Sequence, residues 1–249
     1  MDGAAKRNVN TFVSGKSGKG KSWEVGFLIE QSTKARVIWD LKNEHGGLAS
    51  HAVTLDAARW RAMEAKGPSR VWPDFLASYP SIRIRTFKMT PDQIRIAVAS
   101  CAAVVHERGR TLWAASEYHI LAPNKNTPEA TLILHTDART CQNDIIADSQ
   151  RPGLVDTTIM SQPNRRIGFG MDDPNDIKRT AGYFRAVPCD VAAAQGVPIS
   201  PADRKAGIVP AARVLPHLAP RRALYLNCDT DEQILLDTNT QTRLRTHGG

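Results

Sequence analysis

Apolar runs and amphipathic stretches alternate along most of this chain. Val9–Val13 is a β-rich run that enters a glycine-rich loop. Ser22–Thr33 follows as a helix, largely apolar through Trp23, Val25, Phe27, Leu28 and Ile29. Arg36–Trp39 predicts a second strand, closed by Asp40. The stretch 46–80 is mixed, with a helix near Ala57–Ala65 and a Pro/Gly-marked loop after it. Ser81–Phe87 alternates Ile82 and Ile84 with Arg83 and Arg85, the period of a half-exposed strand. Thr90 and Pro91 mark a helix start, and that helix runs to about Arg108 and stops near Gly109. Thr111–Ala115 predicts a short buried strand ending in Ser116-Glu117. Glu129–Arg139 predicts a helix, Asp144–Ala147 another buried strand, and Arg166–Met171 one more. Strands alternating with helices imply a mainly parallel sheet flanked by helices.

The pattern changes near residue 187. Prolines crowd the stretch from Pro188 to Pro220, which predicts an extended or irregularly wrapped arm without a core of its own. Ala223–Asn227 and Gln233–Asp237 flank Asp229–Glu232 as a terminal β-hairpin, and the polar tail Thr238–Gly249 predicts disorder. The expected division is a core over 1–187 and an arm with hairpin and tail over 188–249.

Composition adds two constraints. The formal net charge is +8, which favours polyanionic partners because Lys and Arg displace counterions from phosphates. Cys101, Cys141, Cys189 and Cys228 are widely spaced with no C-x-x-C pair, so neither a zinc ribbon nor a disulfide framework is supported. No stretch approaches the ~18 consecutive apolar residues of a membrane span, and no transmembrane segment is expected.

The sharpest chemical signal is Gly15-Lys16-Ser17-Gly18-Lys19-Gly20-Lys21-Ser22, which matches the phosphate-binding pattern G-x-x-x-x-G-K-[ST] at every required position. Glycines let the backbone turn its N–H groups inward, and the following helix presents its N-terminus to the same anion. Lys21 would reach the β- and γ-phosphates of ATP, and the Ser22 hydroxyl would ligate Mg²⁺. The expected fold is therefore an α/β P-loop NTPase of the RecA-like (ASCE) type, with the Pro-rich arm and β-hairpin appended. Such an enzyme also needs acid groups near the γ-phosphate. Glu117 stands just past a buried strand, where a water-activating carboxylate would stand. The residue before it is Ser116, an uncharged group that can still hydrogen-bond a magnesium-bound water. Asp40 ends the second strand and is the next acid expected to border the metal, with turn capping as its plainer role.

The chain resembles the FtsK–HerA superfamily of DNA-pumping ATPases. Four blocks carry the likeness: the phosphate loop; Trp39-Asp40-Leu41-Lys42-Asn43-Glu44-His45; Ser116-Glu117-Tyr118-His119-Ile120-Leu121-Ala122-Pro123; and Ala147-Asp148-Ser149-Gln150-Arg151-Pro152 through Ser161-Gln162-Pro163-Asn164 to Asp173-Pro174-Asn175-Asp176. The blocks span about residues 8–185. The resemblance implies that Gln150 is a polar sensor of the γ-phosphate or attacking water. It also implies that Arg139 reaches into a neighbouring subunit's site, with Arg151, Arg165 and Arg166 competing for that role. The family normally has Asp-Glu where this chain has Ser116-Glu117.

Only 14 residues precede the loop, and a bare ATPase core of this kind is similar to the genome-packaging ATPases of tectiviruses and other membrane-containing icosahedral viruses. That likeness implies a hexameric ring threaded by double-stranded DNA. It implies capsid portal or packaging-vertex proteins and a viral membrane protein as partners, and a place in the host cytoplasm or at the virion's packaging vertex. A cellular or plasmid DNA translocase or helicase core is the alternative from the same superfamily. A P-loop small-molecule kinase and an ATP-gated DNA-binding scaffold are alternatives from other classes. The pairs Arg165/Arg166 and Arg221/Arg222 are candidate DNA or ring contacts, whereas His119 and His135 fit packing or surface roles.

Overall fold

A computed structural model describes residues 8–240 and 242–247. The elements run β1 (Asn10–Ser14), α1 (Lys21–Gln31), β2 (Ala35–Trp39), β3 (His51–Asp56), α2 (Ala57–Lys66), α3 (Pro68–Ser78), β4 (Ser81–Phe87), α4 (Pro91–Arg108), β5 (Thr111–Ala115), α5 (Tyr118–Leu121), α6 (Glu129–Thr136) and β6 (Asp144–Ser149). They continue as α7 (Thr157–Ser161), β7 (Arg165–Phe169), α8 (Pro174–Ala181), β8 (Val187–Pro188), α9 (Cys189–Ala193), α10 (Pro201–Ala206), β9 (Ile208–Val209), α11 (Ala211–Val214), β10 (Arg222–Asn227), β11 (Glu232–Asp237) and β12 (Thr242–His247). The chain divides into two compact units.

The first unit comprises residues 8–10, 25–148 and 155–163. Its strands form a parallel sheet in the order β6-β5-β2-β4-β3. Parallel strands covered on both faces become continuous apolar runs, and Val37-Ile38-Trp39, Leu112-Trp113-Ala114-Ala115 and Ile145-Ile146-Ala147 are buried throughout. Helix α4 starts as the sequence predicts. Thr90 and Gln93 form a capping box behind Pro91, and the helix stops at Gly109, whose φ of 64° suits a residue without Cβ. Ile94, Ala97, Val98, Cys101, Ala102 and Val105 recur at helical spacing and make its buried stripe. Each fully buried Ile or Val there contributes about 1.5–3 kcal/mol relative to exposure.

Three expectations change in this unit. Strand β4 is not half-exposed: it lies between β2 and β3, and Arg83 is buried with the isoleucines because it pairs with Asp40. The mixed stretch 46–80 contains strand β3 and helix α3, with Pro68 at the start of α3 and Pro73 inside it. Trp72 of α3 is buried and packs edge-on to Trp39 with ring centroids 6.0 Å apart, so tertiary packing outweighs the helix-breaking prolines. Helix α6 ends at Thr136, short of Arg139. The chain then turns, with Cys141 N–H bonding Asp137 C=O and Gln142 N–H bonding Arg139 C=O.

The second unit comprises residues 11–24, 149–154, 164–240 and 242–247. Strand β1 pairs in parallel with β7, and β10, β11 and β12 extend the ladder antiparallel from β7. The predicted hairpin is β10–β11. The Pro-rich stretch is not a coreless arm. Val187, Ala192, Val197, Val209, Ala211, Val214, Leu215 and Leu218 pack with Met171, Leu224 and Leu235 in one hydrophobic cluster. Prolines stand at the starts of its short helices, as Pro201 does behind the Ser200 cap, where a missing N–H costs nothing. The tail is not wholly disordered: Thr242–His247 adds strand β12 to β11, while residues 241 and 248–249 lie outside the described residues. The compact units do not divide at residue 187/188, because 164–187 clusters with the Pro-rich stretch and with the phosphate loop.

Candidate functional site

The candidate residues fall into two groups, one in each unit. In the second unit, β1 delivers the chain into the loop Gly15–Gly20, and α1 begins at Lys21. Gly15, Gly18 and Gly20 all have positive φ, at 144°, 75° and 109°. At Gly15 a Cβ would lie 2.6 Å from the Cβ of Phe169, so the position requires glycine for space as well as for conformation. The loop is fixed at its base by Gly15 N–H to Ser149 C=O (3.3 Å) and Lys16 N–H to Gly170 C=O (2.9 Å). Lys21 is buried, and its Nζ donates to the carbonyl of Lys16 at 3.1 Å, closing the loop over its own helix start. Lys16 leans the other way and pairs with Asp172, whose carboxyl that hydrogen bond holds below the usual range. Lys19 Nζ donates to Leu218 C=O at 3.2 Å. Ser17 is exposed, and Ser22 is half-buried in the first turn of α1.

Gln150 directly follows β6, belongs to the second unit and is half-buried. Next to it, Arg151 is engaged by Asp173 and Asp176 at the start of α8, with its Nε 3.1 Å from Asp176. Gly153 N–H donates to the other Asp176 oxygen at 2.7 Å. The Arg-Pro and Asp-Pro-Asn-Asp segments of the fourth block are thus one internal anchor, and Arg151 is occupied within its own unit. Arg166 stacks over Tyr183 at 4.7 Å.

The first unit holds the acids. Glu117 follows β5 in the left-handed region (φ 59°, ψ 48°) and is 5% exposed. A non-glycine residue held there costs about 1–3 kcal/mol, and such strain concentrates at working sites. Its carboxylate is bracketed by Lys42 on one oxygen and by His119 Nδ1 at 3.2 Å from the other. Its backbone N–H donates to the buried carboxylate of Asp148 at 3.3 Å.

Asp40, expected to border the metal, has both carboxylate oxygens engaged within its own unit. One oxygen accepts Glu44 N–H (2.9 Å), and the other accepts His45 N–H and Arg83 Nε, both at 2.9 Å. With 1% exposure and three donors, this carboxylate is a turn cap and buried ion-pair partner. Ser116 is likewise committed: its Oγ accepts Leu41 N–H at 3.2 Å and lies 3.4 Å from Trp39 C=O, tying β5 to the end of β2. Among the described residues, no group of three or more His, Cys, Asp or Glu side chains is placed to hold a metal ion. Arg139 is exposed in the turn after α6.

No family model matches the chain, and no curated protein sequence matches it. Solved structures do. The genome packaging NTPase B204 from Sulfolobus turreted icosahedral virus 2, in complex with AMP, aligns with a TM-score of 0.57 at 14% identity, covering 97% of this chain and 98% of that one. The DNA-packaging ATPase B204 from Sulfolobus Turreted Icosahedral Virus aligns at 0.56 and 13%, with the same coverage. VirB4 of Thermoanaerobacter pseudethanolicus aligns at 0.53 and 11%, covering 100% of this chain and 91% of that one. The fold is that of the packaging NTPases. It is the α/β P-loop class with mainly parallel strands and flanking helices that the sequence predicts.

Several residues around these groups escaped the sequence reading. Lys42, His119 and Asp148 lie inside the recognised blocks, but nothing in the sequence says that all three meet Glu117. His119 in particular looks like a packing histidine and turns out to face that carboxylate. His135 does fit a packing role. It ends a buried chain in which Trp113 Nε1 donates to Tyr118 Oη (2.8 Å) and Tyr118 Oη lies 2.8 Å from His135 Nε2. Burial pushes His135 down to about 3 and raises the Tyr118 hydroxyl well above its ordinary value. The imidazole is therefore neutral.

Proposed function

We propose that this chain is an ATPase that couples ATP hydrolysis to movement of double-stranded DNA, and that it packages a viral genome into a preformed capsid. The observation that carries the nucleotide reading is the loop itself. Three positive-φ glycines between a buried strand and a helix start, closed by a buried lysine, fit a polyphosphate and little else. The end-to-end likeness in fold to a genome packaging NTPase supports the motor reading, and the +8 net charge suits a DNA partner.

In this reading Gly15, Lys16, Ser17, Gly18, Lys19 and Gly20 supply backbone donors to the phosphates. Lys21 releases the Lys16 carbonyl to neutralise the β- and γ-phosphates. A Mg²⁺ ion takes most of its ligands from phosphate and water, so the Ser22 hydroxyl is a sufficient protein donor, and the ion supplies charge neutralisation at the transferring phosphate. Glu117 orients and deprotonates the attacking water, and Gln150 senses the γ-phosphate. Exposed Arg139 is the cation offered to a neighbouring subunit in a hexameric ring. The chain works in the host cytoplasm and at the packaging vertex, against portal-vertex proteins and a viral membrane protein.

The test is steady-state ATP hydrolysis with and without double-stranded DNA, for the native chain, Lys21→Ala and Glu117→Gln. Lys21→Ala is expected to lose ATP binding. Glu117→Gln is expected to keep binding and lose at least about 100-fold in turnover, the scale of a general base. Turnover insensitive to Glu117→Gln would remove that residue from the reaction. Phosphate transfer to a small hydroxyl compound in place of water would favour the kinase reading.

A further inference from the structure

The loop has a second partner that the phosphate-binding motif does not call for. Arg221, at the corner before β10, is a non-glycine residue held at φ 69°. Its N–H donates to Lys19 C=O at 2.8 Å, and its C=O accepts both the N–H (2.8 Å) and the hydroxyl (3.0 Å) of Thr238. Glycine would relieve this conformation, yet an arginine stands there, pinned at three points. The stem of its side chain runs along the loop so closely that a Cβ on Gly20 would lie 2.9 Å from its Cδ. Its guanidinium ends 5.3 Å from the centroid of the Trp23 ring. Trp23 directly follows Ser22 and is 40% exposed, while Trp39, Trp60, Trp72 and Trp113 are all 0–1% exposed.

We propose that Trp23 and Arg221 form the platform on which the purine base of the bound nucleotide stacks. This rests on the ATPase reading above and assigns the part of the ligand that the loop glycines do not touch. Lys21 and Ser22 serve the β and γ end of a nucleotide. The base must therefore leave the loop across its rim, and an exposed indole carrying a flat guanidinium stands on that rim. Aromatic and guanidinium planes both accept a base face without reading its edge. The same contact explains why an arginine is kept in a strained conformation: the pinned backbone delivers a planar cation to the indole. Arg221 stands just before β10, and its carbonyl is held by Thr238 just after β11, so the base of the hairpin fixes the backbone that carries the guanidinium.

The four other tryptophans are buried, so emission accessible to iodide reports Trp23. Saturating ATP or ADP is expected to alter that emission and shield it from iodide, whereas tripolyphosphate, which has no base, leaves it unchanged. Trp23→Ala is expected to weaken ATP and ADP roughly 5- to 150-fold, the effect of one lost base–aromatic stack. Tripolyphosphate affinity should stay within about twofold, and Trp23→Phe should recover most of the loss. Equal weakening of ATP and tripolyphosphate by Trp23→Ala would overturn the proposal, since Trp23 would then only brace the loop. So would iodide access unchanged by bound ATP. A native chain that binds neither ATP nor tripolyphosphate, with Lys21→Ala changing nothing, would instead overturn the ATPase reading and the platform with it.

Discussion

His135 makes the stability of the first unit depend on pH in a direction and by an amount that follow from its surroundings. Its imidazole is fully enclosed, and its Nε2 lies 2.8 Å from the Tyr118 hydroxyl oxygen, which accepts from Trp113 Nε1. A second ring proton would put a full charge where no water reaches it. Burial accordingly lowers the group from its ordinary 6.5 to about 3. The folded-state value is depressed for a base, so below pH 6.5 the unfolded chain takes up a proton that the folded chain refuses. The contribution is complete above that pH and is lost as pH falls toward 3. Each pH step of one below 6.5 removes about 1.4 kcal/mol, so the loss should be about 2 kcal/mol at pH 5 and roughly 4–5 kcal/mol by pH 3. Urea unfolding followed by the emission of the four buried tryptophans, all in this unit, measures it at pH 7.5 and 5. His135→Gln keeps a polar partner for Tyr118 and does not titrate, so its stability should fall about 2 kcal/mol less over that interval than the native chain's. Parallel losses in the two proteins would show that His135 is charged when folded, or reaches solvent, and the buried chain would have to be redrawn.

Three further outcomes follow from the geometry. Gly15→Ala must place a Cβ 2.6 Å from that of Phe169 at a φ that L-residues avoid, and strain and overpacking of about 1–3 kcal/mol each should abolish ATP binding in calorimetry. Gly18→Ala meets nothing within 4 Å and carries only the strain of its φ of 75°, so it should lose less, and equal effects would contradict this account. Arg83→Met leaves the Asp40 carboxylate buried without its cation and should cost about 3–5 kcal/mol in urea unfolding, part of which returns in the Asp40→Asn/Arg83→Met double variant. Asp203 is lowered from 3.8 to about 2 by hydrogen bonds from Ser200 and Arg213, so it stabilises the fold above pH 4 and ceases to do so as pH falls toward 2. Asp203→Asn should flatten thermal stability against pH in that window, and an unchanged slope would mean the pair is absent in solution.

The sequence was most informative where one local rule settled the structure. The capping box at Thr90, the stop at Gly109 and the apolar runs of β2, β5 and β6 each need only a few adjacent residues, and all are present. It was least informative where partners lie far along the chain. Pro68 and Pro73 look like loop residues until Trp72 is seen against Trp39. Arg83 looks solvent-facing until Asp40, 43 residues away, is placed beside it. The Pro-rich stretch looks coreless because its apolar residues come singly. They form a cluster only when Val187, Val209 and Leu218 are gathered against Leu224 and Leu235.

The same distinction governs the acid strand. Read along the chain, Ser116 in place of an acid removes a charge from beside Glu117. Read across the sheet, the register that pairs Ala115 with Ala147 carries Ser116 alongside Asp148. The Asp148 carboxylate is 4% exposed and accepts the Glu117 N–H, while the Ser116 hydroxyl is turned toward β2 and bonds Leu41. A carboxylate therefore still stands next to Glu117, on the neighbouring strand. A motif read position by position cannot find it, because the pairing of β5 with β6 spans more than thirty residues. The left-handed turn at Glu117 gives this carboxylate a specific task. Asp148 accepts the N–H of that turn, while Lys42 and His119 engage the side chain. With Ser116 turned toward β2, the buried Asp148 carboxylate on the neighbouring strand is the acid that bonds the backbone of Glu117.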